Sequence, residues 1–254
     1  MSTDREHEIT QAFVSIANGM AEGADIVDLL SGLTSDCARL LDIASAGLLL
    51  ADGHGTLHVL AASSERTRDL EIFQLQRDEG PCLDCFHSGQ QVSVNDLRLE
   101  AKRWPQFVAA ATATGFAAVH ALPMRLRGTT LGALNLFGAT PGALAADDLD
   151  LAQALAHVAS IALVTDKAAS DTESLHQQLQ TALTSRVAIE QAKGVLAQLG
   201  SLDMDQAFAV LRRYARDHNA PLSDVAQQLV SRKLSVQQVL DHSMTGRLTA
   251  QSPP

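Results

Sequence analysis

Two groups of residues give this 254-residue chain its chemical options. The first is Cys82-Leu83-Asp84-Cys85-Phe86-His87, which sets two thiols and an imidazole within six positions. Such groups are soft ligands for zinc or iron. A Cys pair can also close a reversible disulfide, helped by a helix N-terminus whose dipole lowers a thiol pKa. A closed zinc site needs a fourth ligand and usually a second ligand pair, and the sequence identifies neither. A lone C-x-x-C is a weak signal and free cysteine is commonly buried, so the favoured reading is that Cys82 packs as a small apolar residue with Cys85 incidental. Cys37 sits on the apolar face of its helix and reads as core, while His54, His58 and His120 read as packed or surface residues.

The second group is basic. Lys193 stands between Ala192 and Gly194 and follows Gln191, and Arg212, Arg213 and Arg216 form the densest basic cluster in the chain. Arg212 and Arg216 share a helix face at four-residue spacing. Small neighbours would let a ligand approach the backbone beside Lys193. Alternatively, Ala192 and Gly194 permit close helix packing, Arg213 pairs with Asp217, and the cluster is a solvated surface. The net charge of -10 opposes binding to a polyanion only if it is evenly spread, and it is not. Residues 1–179 carry 11 Lys and Arg against 23 Asp and Glu, a balance of -12, whereas 180–254 carry 8 against 6, a balance of +2.

These groups must be positioned by two differently patterned parts. The first part alternates helical and strand-like segments. Helices are expected over 6–21 and 25–41, then strands over 46–51 and 56–62 around the turn Asp52-Gly53-His54-Gly55. A helix over 65–75 and a loop with Gly80-Pro81 lead to a short helix ending at Gly89. A strand over 91–94, a helix over 102–114, and strands over 116–125 and 129–137 joined by Arg127-Gly128 complete it. Paired hairpins with helices before, between and after them indicate an α+β fold, an antiparallel sheet with helices packed on it. Trp104 before Pro105 reads as a packing anchor.

No Gly or Pro interrupts 143–193, so one long helix, or two separated by a polar stretch at 166–174, connects the parts. Leu155, Val158, Ala162, Leu175, Leu179, Ala182 and Ile189 have the loose spacing of a dimeric coiled coil; a helix that caps the sheet and frays into a linker is the alternative. Beyond it come three helices. The first ends at Gly200, the second starts at Asp203 with Gln206 as a capping box, and the third is capped by Ser223. Ser235 with Gln238 suggests a short fourth. Together these form a small three-helix bundle.

Glu79-Gly80-Pro81-Cys82, Val92-Ser93-Val94-Asn95-Asp96-Leu97, Arg103-Trp104-Pro105 and Gly132-Ala133-Leu134-Asn135-Leu136 resemble, in this order, the GAF domains. The resemblance implies a six-stranded antiparallel sheet with helices on one side and a loop-covered pocket on the other. Family ligands include cyclic nucleotides, haem, bilins and small metabolites, so the ligand here is unknown. Free methionine sulfoxide reductases share the shape and use cysteines. Further on, Ile189-Glu190-Gln191-Ala192-Lys193-Gly194, Ala207-Phe208 with Leu211-Arg212, and Leu222-Ser223-Asp224-Val225-Ala226 are similar to ANTAR domains. That resemblance implies a dimeric module that recognises paired RNA hairpins through their loops and alters termination or ribosome access. GAF and ANTAR domains are joined in actinobacterial regulators. Family members often carry Met and a basic residue where this chain has Ala197, Gln198 and Leu199, which removes one expected phosphate contact.

The expected organisation is an N-terminal helix (1–24), a GAF-like sensor domain (25–165), a helical linker (166–184), an ANTAR-like RNA-binding domain (185–241) and a flexible tail (242–254). The expected RNA contacts are Gln191, Ala192, Lys193, Gly194, Arg212, Arg213 and Arg216, with Cys82, Cys85 and His87 as the redox or metal alternative. No catalytic residue, metal or cofactor is expected. Three cysteines, an acidic polar N-terminus and no apolar run near roughly 18 uncharged residues make the expected address cytoplasmic. The readings carried forward are a homodimeric, signal-responsive RNA-binding regulator, a helix-turn-helix-like DNA-binding factor, and a cysteine redox protein.

Overall fold

A computed structural model describes residues 3–164 and 172–249. It opens with α1 (Thr3–Glu22) and α2 (Ile26–Leu40). Gly23, at φ 70°, breaks the chain between them, and the Asp25 carboxylate starts α2 by accepting from the Val27 and Asp28 amides at 2.9 and 3.2 Å. The expected apolar stripe of α2 is its buried face: Val27, Leu30, Leu33, Cys37 and Leu40.

The sheet follows the predicted hairpins. Strands β1 (Ser45–Ala51) and β2 (Leu57–Ala62) are joined by a turn in which the Asp52 carboxylate accepts from the His54 and Thr56 amides, each at 2.9 Å. Strands β4 (Ala118–Leu126) and β5 (Thr129–Gly138) are joined by Arg127 and Gly128, at φ 50° and 85°, the left-handed pair that a two-residue hairpin loop demands. Strand β3 (Val92–Val94) pairs with β4, and the antiparallel order is β2-β1-β5-β4-β3. The described residues thus form five strands rather than the six that the family resemblance implies.

Helices cover both faces, another departure from that expectation. On one face α2 and α6 (Ala146–Ala162) pack on the sheet and on each other, with α1 against both. The other face carries α3 (Glu65–Arg77), α4 (Pro81–Ser88) and α5 (Pro105–Ala113). There, Trp104, Phe107, Phe116 and Phe137 form, with Val119, a largely aromatic cluster under α5, so Trp104 is the anchor expected of it. Leu49, Ala121 and Ala133 meet Cys82 and Cys85 of α4 in a second cluster. Because α1 packs on α2 and α6, and Arg5 pairs with Asp148, the N-terminal helix belongs to the same unit as the sheet and is no separate segment.

The chain divides into two compact units, Met1–Thr181 and Ala182–Pro254. The second contains most of α7 (Thr172–Gly200), then α8 (Met204–Asp217), α9 (Leu222–Val230) and α10 (Val236–Thr249). Helices α6 and α7 are separate; residues 165–171, within the expected linker, lie outside the described ones. The proposed coiled-coil seam is corrected in part: Leu155 is buried in a helix that packs on β4, and Leu179, Ala182 and Ile189 are buried within the single chain. The Leu175 side chain lies outside the description. A further correction is the tail. Helix α10 runs to Thr249, and Val239 and Leu240 are buried as it packs on α8, so 242–249 are helical. Residues 250–254 are not described.

Close strand approach fixes the register of the central pair. Gly132 on β5 lies opposite Leu50, and a Cβ there would collide with the Leu49 carbonyl. Backbone cannot retreat from a ladder without breaking it. Gly132→Ala is expected to cost about 3 kcal/mol, measured by chemical denaturation; a loss below about 0.5 kcal/mol would contradict this packing.

Candidate sensor core and nucleic-acid interface

In the sensor unit, Glu71 and Gln74 on α3 turn inward beneath α4 and meet Asn135 of β5. All three are fully buried. Asn135 Nδ2 donates to Glu71 Oε1 at 2.7 Å, and Gln74 Nε2 donates to the other carboxylate oxygen. Two glycines make the room: a Cβ at Gly47 would strike Glu71, and one at Gly80 would strike Gln74. Burial pushes the Glu71 carboxyl up to about 7, against the opposing pull of the hydrogen bonds from Asn135 and Gln74.

The run from Glu79 to Cys82 has a structural explanation around this node. Glu79 Oε1 accepts from the Gln106 and Phe107 amides at 2.7 and 2.9 Å, capping α5 from 27 residues away, and Pro81 opens α4. Cys82 and Cys85 are wholly buried on α4, whereas His87 is exposed. The thiols and the imidazole therefore do not converge. No group of three metal-ligating side chains occurs among the described residues. The helix N-terminus does not activate the thiols either: burial and the nearby Glu71 charge push Cys82 far up, and burial pushes Cys85 up to about 12. His120 is buried on β4, and burial lowers its pKa.

In the second unit the predicted contacts separate. Gln191 and Gly194 are exposed on α7 and Arg216 on α8; Arg212 and Arg213 are half-buried; Ala192 and Lys193 are core. Lys193 is 2% exposed, its ammonium 3.2 and 3.3 Å from the two Glu190 carboxylate oxygens and 5.4 Å from the centre of the Phe208 ring. Arg186, one turn earlier, holds Glu190 from the other side at 2.5 Å. This Arg186-Glu190-Lys193 triad could have been found from its four- and three-residue spacings. It turns the expected surface lysine into an internal ion. Gly194 has open space beside it, with nothing among the described residues within 4 Å of where a Cβ would stand. Gly200, by contrast, serves packing, since a Cβ would meet Leu240 Cδ2 at 2.8 Å. Ser201 takes the left-handed turn after α7.

The caps mostly follow expectation. Asp203 and Gln206 form a reciprocal capping box on α8, and Ser235 with Gln238 forms another at 3.1 and 3.2 Å. Ser223 is corrected: it lies in the first turn of α9, whose N-cap is Pro221. At the end of α8, Tyr214, His218 and His242 of α10 form an aromatic group, with Arg213 and Arg216 beside Asp217. The four-residue spacing of Tyr214 and His218 was readable; the distant His242 carried no local signal.

Two outcomes check these assignments. A carboxyl raised in the fold holds its proton while the unfolded chain loses it, so the Glu71 contribution is full below its ordinary pKa and declines as pH rises to about 7. Relative to wild type, Glu71→Gln should therefore gain roughly 3 kcal/mol between pH 4 and 8, read from denaturant midpoints at each pH. Lys193→Ala should lower stability by about 3 kcal/mol, because it leaves part of a buried carboxylate unmatched. A surface lysine would leave the midpoint within about 0.5 kcal/mol.

Comparison with known proteins matches this division. Residues 23–164 match the GAF domain family and residues 177–230 the ANTAR domain family. No curated protein matches the sequence. Among solved structures, the chain is similar to the GAF domain of an Acinetobacter phosphoenolpyruvate-protein phosphotransferase, at 12% identity and a TM-score of 0.51, covering 68% of this chain and 99% of that one. It is also similar to the GAF domain of the corresponding protein of Coxiella burnetii, at 14% identity and a TM-score of 0.49, covering 62% and 93%. With a GAF match over more than half its length and an ANTAR match over the helices that follow, the chain belongs to the GAF domain family and has the GAF-ANTAR architecture.

Proposed function

We propose that the protein is a signal-responsive RNA-binding regulator that acts on transcripts through paired hairpin loops, by antitermination or translational control. The observation that carries this reading is the ANTAR match at 177–230 following the GAF match at 23–164. The GAF domain is the sensor in this reading, and its ligand is a small molecule. The protein acts in the cytoplasm and is not an enzyme. No described helix is long and apolar enough to cross a membrane.

Local geometry supports the binding surface. Arg216 projects from α8 with 76% of its side chain exposed, and loop phosphates attract such groups. Gly194 weakens α7 by about 1 kcal/mol relative to Ala, yet nothing among the described residues needs the space it leaves. A partner at that face explains it. Val187, Val195 and Leu199 lie exposed on α7 with Gln191 and Gln198, an uncharged strip that suits a second copy of the chain better than phosphate. Two modules side by side would present their arginines to two loops.

Gel shifts with tandem RNA hairpins, one hairpin and duplex DNA test the reading. Tandem hairpins are expected to bind at least tenfold more tightly than either competitor. Equal or tighter binding of duplex DNA would replace this reading with a DNA-binding one.

A further inference from the structure

We propose that Tyr214, His218 and His242 form a stacking platform for an unpaired base of the RNA loop, with Arg216 placed for the adjoining phosphate. This rests on the RNA-binding reading and names the part of the module that reads the loop.

The three rings lie where α8 ends against α10. Tyr214 stacks on His218 with centroids 4.0 Å apart and planes 17° from parallel. His242 stands edge-on to both, at 5.4 Å and 78° from Tyr214 and 4.9 Å and 61° from His218. The module has its own aliphatic core, in which Ala207, Leu211 and Ala226 are completely buried. The rings are outside it: His218 is exposed, and Tyr214 and His242 are half-buried. Tyr214 is the sole tyrosine of the chain, and the nearest aromatic on its own helix, Phe208, is engaged with Lys193.

The rings are held in place before any ligand arrives. His218 Nδ1 donates to the Tyr214 carbonyl at 2.9 Å, and His242 Nε2 donates to Asp217 Oδ2 at 3.0 Å. Asp217 also faces Arg213 Nε at 3.5 Å and Arg216 Nε at 3.6 Å. The hydrogen bond from His242, with Arg213 and Arg216 close by, keeps the Asp217 carboxyl below its usual range. An ordered, exposed aromatic stack flanked by guanidinium groups has the chemistry of a site for splayed-out bases: every base has a π-face, and its phosphate seeks a cation. Fixed rings lose little freedom on binding, which is where an ordered platform gains affinity.

The test uses the full chain and a tandem-hairpin RNA, alongside the same RNA with abasic loop positions. Wild type should bind the intact loops about tenfold to hundredfold more tightly than the abasic ones. Tyr214→Leu with His218→Ala should lose that preference while keeping the salt dependence of wild type. His218→Phe should retain it, because a ring suffices. Arg216→Ala should weaken both RNAs alike and lower the salt slope by about 1. Circular dichroism and sedimentation confirm that each variant keeps its fold and association state. An undiminished preference for intact loops in the double variant, or a loss that follows a reduced dimer fraction, would overturn the platform while leaving RNA binding intact. No preference of wild type for RNA over duplex DNA would instead overturn the reading beneath it.

Discussion

The C-terminal helical module depends on a largely buried ion triad. Arg186, Glu190 and Lys193 follow one another on a single face of α7, and the inward position of Lys193 fixes how that helix is rotated in the bundle. Dehydrating three charges is costly, and the cost is offset only when each meets its counter-charge at short range. Phe208, over which the ammonium lies, adds a cation-π contact from α8. Once this face is committed inward, Gln191, Gly194, Val195 and Gln198 must face out. The exposed strip of α7 is thus a geometric result of the triad. The exposed guanidinium of Arg216 stands on α8 instead.

The sensor unit is governed by a different kind of burial. Its sheet face beneath α3 and α4 is occupied by the chain's own carboxyl and amide groups, admitted by Gly47 and Gly80. Burial raises the carboxyl to about 7, so ionising Glu71 works against this packing as pH rises. Anything that displaces Glu71 and Gln74 must supply replacement hydrogen bonds for Asn135, since buried polar groups left unmatched are expensive.

Much of the fold was legible because turns and alternation are local. The Asp52 turn, the Arg127-Gly128 hairpin, the α2 stripe and the Asp203 capping box needed no tertiary knowledge. What failed to show depended on distant partners. Lys193 beside Ala and Gly looked like a surface residue, and its burial depends on Phe208 of another helix. Glu71 carries no local signal at all; its partner on the sheet, Asn135, is 64 residues on. The coiled-coil spacing matched real apolar positions, but a repeat does not say whether the chain or a second copy covers them. The length of α10 was hidden because the buried Val239 and Leu240 stand in a helix with a largely polar first half. The heptad-like pattern and the thiol pair shared one weakness: each was a spacing without a partner.

Asp217 gives the basic cluster one last property. It already stands against Arg213 and Arg216, so those guanidinium groups arrive with an anion in residence. A phosphate reaching Arg213 or Arg216 meets Asp217 as a resident competitor. In a chain whose overall charge is -10, such internal competition discourages casual adhesion to any polyanion. If this face meets RNA as proposed, Asp217 competes with every phosphate there, and base stacking on the rings is what tells one loop from another.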